Sequence, residues 1–343
     1  MSAPSQLVDS EIVVVGAGVL GLATAAELTL RGHRVTVVDP GGPNASSVAA
    51  GMIGPGFESV LDGATPERAR LLRDAAALWP DFAERHGLRL DARPAVWRGP
   101  NASLFDQRLR HLGFPSRLEG DEVSTADRRI DVAPAMARLS ERVTLRAGRA
   151  VSAHVEQGGW ILLLGGGELR ARQVILASGA APAIAGPPLP AARLIEAIEP
   201  IRGQIGWIAE PLVDRVVRGQ GAYLAPSEGG TLIGATMEAG RRDLEPDPAT
   251  CAALVHAAEV LLGRRLREPV EWRVGVRGAT PDGLPMAGAM GTDGLFAALA
   301  PRRNGWLLAP LVAHTVADAV EERPRGAYAD ALDPLRFLTA PAG

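Results

Sequence analysis

The chain has 343 residues, 47% of them hydrophobic, and a formal net charge of −3; that length suits two domains, and the near-neutral charge leaves no electrostatic footprint for nucleic acid. It contains no lysine, so all 36 basic residues are arginine, which removes pyridoxal Schiff-base chemistry and a P-loop. One cysteine, Cys251, cannot build an internal disulfide, a thiolate zinc site or an iron–sulfur cluster, and the six histidines show no metal-ligand spacing, so demanding chemistry must come from an organic cofactor.

In chain order, residues 12–15 form a short apolar run, followed by a Gly-rich turn, an Ala/Leu helix over about 19–31 and a β-branched run at 34–38 ending in Asp39. This reads as a βαβ unit. The apolar stretch 12–28 is interrupted by three glycines and preceded by Asp9 and Glu11, so neither a signal peptide nor a membrane span is expected and the cytoplasm is the default location. Residues 41–63 are rich in Gly, Ser and Ala, too poor in periodicity for a helix. Residues 66–86 read as one helix, with Asp81 and Arg85 spaced as an i,i+4 pair. A helix over 132–142, strands within 143–155 and 160–164 joined by the turn Gln157-Gly158-Gly159, and a buried-type strand over 173–177 follow. Short strands alternate with turns from 201 to 236, suggesting a mostly antiparallel sheet. A helix over 249–262, strands at 272–276 and 295–299 and a last helix over 305–321 complete the pattern. The Pro-rich stretch 181–190 is a plausible crossing between domains.

Gly16-Ala17-Gly18-Val19-Leu20-Gly21 matches the dinucleotide fingerprint G-x-G-x-x-G. A bare match is weak in a chain with 40 glycines; the preceding strand, the helix opening on it and the acid ending the next strand give it weight. Gly16 permits the tight turn, Gly18 lets backbone approach a pyrophosphate, and Gly21 lets helix and strand pack closely. The helix N-terminus favours phosphate, and Asp39 would accept hydrogen bonds from ribose hydroxyls. The motif alone does not separate NAD from FAD.

Further segments, in order, are Ser46-Ser47-Val48-Ala49-Ala50-Gly51-Met52, Pro200-Ile201-Arg202-Gly203-Gln204, Ala222-Tyr223-Leu224-Ala225-Pro226 with Ile233-Gly234-Ala235-Thr236-Met237-Glu238, Gly275-Val276-Arg277 with Thr280-Pro281-Asp282-Gly283-Leu284-Pro285, and Arg303-Asn304-Gly305-Trp306-Leu307-Leu308-Ala309-Pro310. With the glycine motif they span nearly the whole chain and resemble the D-amino-acid-oxidase-like family of FAD flavoproteins, within it the glycine oxidases. The resemblance implies an α/β fold: a Rossmann-type FAD-binding domain from 1–65, 130–195 and 272–343, interleaved with a mostly antiparallel α+β substrate domain from 66–129 and 196–271.

The resemblance also implies roles. Ser46 and Ser47 would reach a phosphate, with Ala49, Ala50, Gly51 and Met52 along the flavin; from the residues alone a flexible loop reads equally well. Val151 and Ala177-Ser178-Gly179 would lie on the adenine side, where a buried strand end is the alternative. Arg303, Asn304, Gly305, Trp306 and Leu307 would bring a helix N-terminus to the flavin's pyrimidine edge, favouring negative charge there. Arg277 would pair bidentately with a substrate carboxylate, helped by Tyr223, although singly an Arg or Tyr is more often a salt-bridge or packing residue. This sequence departs from the family pattern where Pro301 and Arg302 replace a His and an aromatic, and where Gly278 replaces a Pro.

The expected function is that of an enzyme with non-covalent FAD, passing the Cα hydrogen of glycine, sarcosine or a D-amino acid to flavin N5, with oxygen as acceptor and hydrogen peroxide as product. A D-amino-acid dehydrogenase using a quinone and a non-catalytic FAD-binding assembly protein are the alternatives, and homo-oligomer formation is left open. Arg302 adds a second cation beside Arg303, which either meets a protein carboxylate or solvent, or extends the substrate range to acids.

Overall fold

The computed structural model describes residues 8–156, 158–181 and 184–338. Two large sheets organise it. The first has eight strands. Its parallel part runs Thr144–Ala147, Val35–Asp39, Val8–Val15, then Gly167–Leu176 and Leu295–Leu299. Ile12, Val13 and Val14 are fully buried, as expected for a strand covered on both faces. The first half of Gly167–Leu176 pairs antiparallel with Gly159–Leu164 and so carries the meander with Ala150–Glu156. Helices Val19–Leu30 and Gly305–Val320 pack on this sheet and on each other. Gly305 abuts Val19 at one end, and Arg31 meets Asp318 at 2.7 Å and Glu321 at 2.8 Å at the other, so the two helices run parallel.

The second sheet has nine strands, antiparallel except where Val217–Arg218 runs parallel to Ala95–Arg98. Its longest pairing joins Glu199–Ile208 to Val270–Ala279, placing Gly203 opposite Gly275 and Ile201 opposite Arg277. Residue 272, the expected division, falls inside strand Val270–Ala279, all of which pairs within this second sheet.

Several elements differ from expectation. Residues 66–86 form two helices, Pro66–Ala77 and Trp79–His86, because Pro80 in the first turn of the second has no N–H to continue the first. The expected i,i+4 pair is present within the second, Arg85 Nε lying 2.8 Å from Asp81. The stretch 41–63, expected to be helix-free, contains the helix Pro55–Leu61. Pro55 supplies a favourable first position, and Asp127, seventy residues on, accepts hydrogen bonds from the N–H groups of Gly56 (2.9 Å) and Phe57 (3.0 Å). That cap is invisible to any local reading. Helix Ala102–His111 and the short strands around it also had no expectation. Strands Thr144–Ala147 and Ala150–Glu156 are separated at Gly148, whose φ is +155°. Gln157 of the expected turn lies outside the described residues, as do two residues of the Pro-rich stretch.

Candidate active site

The glycine turn is built by steric necessity. Gly16 has φ +114°, and a Cβ there would lie 2.4 Å from the carbonyl oxygen of Ala177; one on Gly21 would lie 2.0 Å from that of Gly16. Strand end, turn and helix approach too closely for any side chain. The following helix begins at Val19 with no acidic residue in its first turn. Ser46 Oγ accepts from Val19 N at 2.9 Å, and Asp39 accepts from Ala17 N and Gly41 N, each at 2.7 Å. Ser46 is thus at the helix start, whereas Ser47 hydrogen-bonds Asn44 within its own loop. The second helix N-terminus, at Gly305, likewise has no acid in its first turn, and Trp306 donates its indole N–H to Ser46 O at 3.2 Å. Two parallel helix starts with their partial positive charge therefore open beside the same serine.

Next to them lies a cavity of about 300 Å³, between the small-residue segment 45–52 and the second sheet. Gly275 permits the close approach: a Cβ there would lie 2.8 Å from Val48 and 3.0 Å from Ala45 Cα. Ala49, Ala50, Gly51, Met52, Tyr223, Arg277, Arg303, Asn304 and Trp306 line the cavity, so nine of the expected residues converge. Gly16, Gly18, Val19, Gly21, Asp39, Ser46 and Ala177 gather at the glycine turn instead. Leu20 and Leu307 have buried core side chains, leaving only their backbones for a ligand. Val151, Ser178 and Gly179 are not in the cavity wall; the side chain of Val151 is half exposed, and its carbonyl accepts from Ala185 N at 3.1 Å.

Glycines also set the reactive wall. The Arg277 guanidinium lies over Gly203, where a Cβ would be 2.3 Å from Nη1, and the Tyr223 ring lies over Gly234, where a Cβ would be 2.3 Å from its hydroxyl. Arg277 Nη1 donates to Thr236 O at 3.2 Å and has no acidic partner among the described residues. Burial lowers its pKa, with Tyr223 opposing that shift and Arg303 adding to it, but an arginine stays charged at neutral pH. Burial pushes Tyr223 up to about 12, so it is a neutral phenol able to donate.

The sequence reading missed a charged cluster beside Arg277 and Tyr223, three of whose members also line the cavity. Glu58, on the unexpected helix, holds Arg218 Nη2 at 2.7 Å through one oxygen and Arg303 Nε at 2.5 Å through the other. Asp62, one turn later, meets Arg303 at 3.1 Å and Arg302 at 2.7 Å. Of the two options for Arg302, the structure therefore gives the protein-paired one. The only sequence signal was the presence of acids in a stretch otherwise poor in charge.

Asp127 caps the helix that carries Glu58 and Asp62, and burial pushes its carboxyl up to about 6 from 3.8. The folded protein thus holds that proton more tightly than the unfolded chain does. This residue's contribution to stability falls as pH rises from about 4 to about 6, and is constant above that. The melting temperature of Asp127→Asn minus that of the parent should accordingly rise across this window and then level off. A difference that stays flat from pH 4 to 8 would show that Asp127 titrates normally.

A parallel sheet whose first turn excludes side chains, with two acid-free helix starts beside a cavity holding a cation that has no acidic partner among the described residues, has the layout of a nucleotide-cofactor enzyme. The chain belongs to the FAD dependent oxidoreductase (DAO) family, whose model matches residues 11–319. It is 29% identical over 359 residues to a glycine oxidase of Geobacillus kaustophilus, covering 91% of this chain and 93% of that one. It is also 29% identical over 372 residues to a bifunctional ThiO/ThiG protein of Synechocystis, covering 96% of this chain and 54% of that one. The chain spans about half of such bifunctional relatives. In structure it matches the crystal structure of Geobacillus kaustophilus glycine oxidase with a TM-score of 0.82 at 26% identity, over 98% of this chain and 100% of that one. The protein is an FAD-dependent oxidoreductase, similar in sequence and structure to glycine oxidases. No helix among the described residues is long and apolar enough to cross a membrane.

Proposed function

We propose that this enzyme oxidatively deaminates a small amino acid, with oxygen as electron acceptor. The observation that carries this reading is the Arg277 guanidinium, which lines the cavity without an acidic partner among the described residues and so calls for a carboxylate from outside. A purely structural FAD-binding protein has no use for such a group.

The residues present fit FAD: the glycine turn excludes side chains where a pyrophosphate must pass, and both adjoining helix starts lack acids. We assign Gly16, Gly18, Gly21, Asp39 and Ser46 to the nucleotide, and Ala49 to Met52 with Arg303 to Trp306 to the flavin. Bound FAD would supply the two-electron acceptor for the substrate's Cα hydrogen. Arg277 grips the carboxylate with the guanidinium N–H groups not used on Thr236, and Tyr223 donates to the same group, which fixes the direction of the Cα–H bond. The substrate amine reacts as the free base, and the apolar wall around Trp97, Met52 and Ile205 favours that neutral form.

The test is anaerobic mixing with glycine, sarcosine and both enantiomers of alanine, followed by readmission of oxygen. The flavin absorbance should bleach with at least one of them and return with stoichiometric peroxide. Bleaching without return in oxygen, but with return on adding a quinone, would make the enzyme a dehydrogenase. The FAD should pass into the supernatant on acid denaturation, since Cys251 is buried in helix Pro248–Leu262 away from the cavity wall. Colour retained in the precipitate would contradict non-covalent binding.

A further inference from the structure

The charged residues in the cavity wall are Arg218, Arg277 and Arg303 against a single acid, Glu58. A substrate carboxylate on Arg277 leaves the others unbalanced. Arg218, Glu58, Arg303, Asp62 and Arg302 form an alternating chain that begins and ends with a cation, so its acids are one short. Arg302 is the outer end of that chain, about 30% exposed. Arg218 is the inner end, about 6% exposed, and it lines the cavity.

Arg218 is only partly engaged. Its Nη2 donates to Glu58 at 2.7 Å and to Met52 Sδ at 3.1 Å, and its guanidinium lies 5.9 Å from the Phe57 ring centre. Its Nε is buried without a hydrogen bond, and no partner of Nη1 is found among the described residues. The remaining acid nearby, Asp127, is turned to the backbone N–H groups of Gly56 and Phe57. Strand register sets Arg218 directly opposite Tyr223, whose hydroxyl lies within the electrostatic reach of both Arg218 and Arg277. A buried guanidinium with idle donors is costly unless a ligand completes it.

We propose that Arg218 is a second anion-recognising residue, and that the preferred substrate is a small amino acid carrying two carboxylates: one held by Arg277 and Tyr223, the other by Arg218. The proposal rests on the amino-acid oxidase reading above and narrows it. Arg302, held by Asp62, takes no part.

The test compares acids with their isosteric amides on the FAD-loaded enzyme: aspartate against asparagine and glutamate against glutamine, each as both enantiomers, with glycine and alanine alongside. An acid should exceed its amide in kcat/KM by about tenfold or more, as expected for a charge-assisted pair in a recess. Succinate should likewise perturb the flavin absorbance at about tenfold lower concentration than succinamate. In Arg218→Gln both ratios should fall to near unity; should that variant not fold, the parent enzyme's two comparisons decide. Equal handling of acids and amides, with flavin reduction by glycine or alanine, would overturn the second site while leaving the oxidase reading intact. If no amino acid reduces the flavin, the oxidase reading fails, and the succinate comparison still decides whether Arg218 binds an anion.

Discussion

Arg277→Met should lower kcat/KM for carboxylate substrates by roughly 30- to 4,000-fold, corresponding to roughly 2–5 kcal/mol for losing one partner of a buried charge pair. The guanidinium has no acid among the described residues to strand, so its removal leaves no buried countercharge there and the fold should tolerate the change. FAD content and melting temperature should therefore stay close to the parent's. This separates Arg277 from an ordinary salt-bridge residue, which would show the reverse pattern. Unchanged kcat/KM in a folded, FAD-loaded variant would remove it from the active site. Gly203→Ala offers an independent check, because the new Cβ would lie 2.3 Å from Arg277 Nη1 and must push the guanidinium aside. The same substrates should suffer without any change in charge.

Glu58→Leu should destabilise the protein by roughly 3–5 kcal/mol, since it strips the shared carboxylate from two guanidiniums. Arg303 keeps Asp62, but Arg218 is left with no ion-pair partner within 4 Å among the described residues. In a chain of this size the melting temperature should fall by about 4–7 °C. The double variant Glu58→Leu/Arg218→Leu should recover part of that loss, because it removes the buried cation together with its partner. A double variant that melts at the temperature expected from adding the two single effects would mean that the two side chains are not coupled. The succinate titration should also weaken in the double variant, which ties this stability experiment to binding.

The geometry of the glycine turn was readable because its requirements are local. Gly16 to Gly21 and Asp39 lie within one βαβ unit, and each position is dictated by a turn, a close approach or a helix start. Ser46 was readable as a small polar residue, but not its choice over Ser47, which depends on the loop bonds of Asn44. The charged cluster was not readable. The helix presenting Glu58 is capped from residue 127, and Arg218 sits in a two-residue strand whose other neighbour comes from residues 95–98. Neither contact leaves a periodicity in its own segment. The break of the 66–86 helix was not expected, although Pro80 marks it in the sequence.

The two parallel helix starts have a consequence for how the protein is made. One belongs to residues 19–30 and the other to residues 305–320, so the cofactor cradle is closed by a segment translated almost 300 residues after the one that opens it. A nascent chain can form the first turn early, yet it lacks the second positive helix end, the Trp306 bond to Ser46 and Arg303 until residues 303–306 have been translated and folded. Closing so long a loop is entropically costly and slow. Capture of a cofactor that needs both helix starts therefore waits until both segments have been translated.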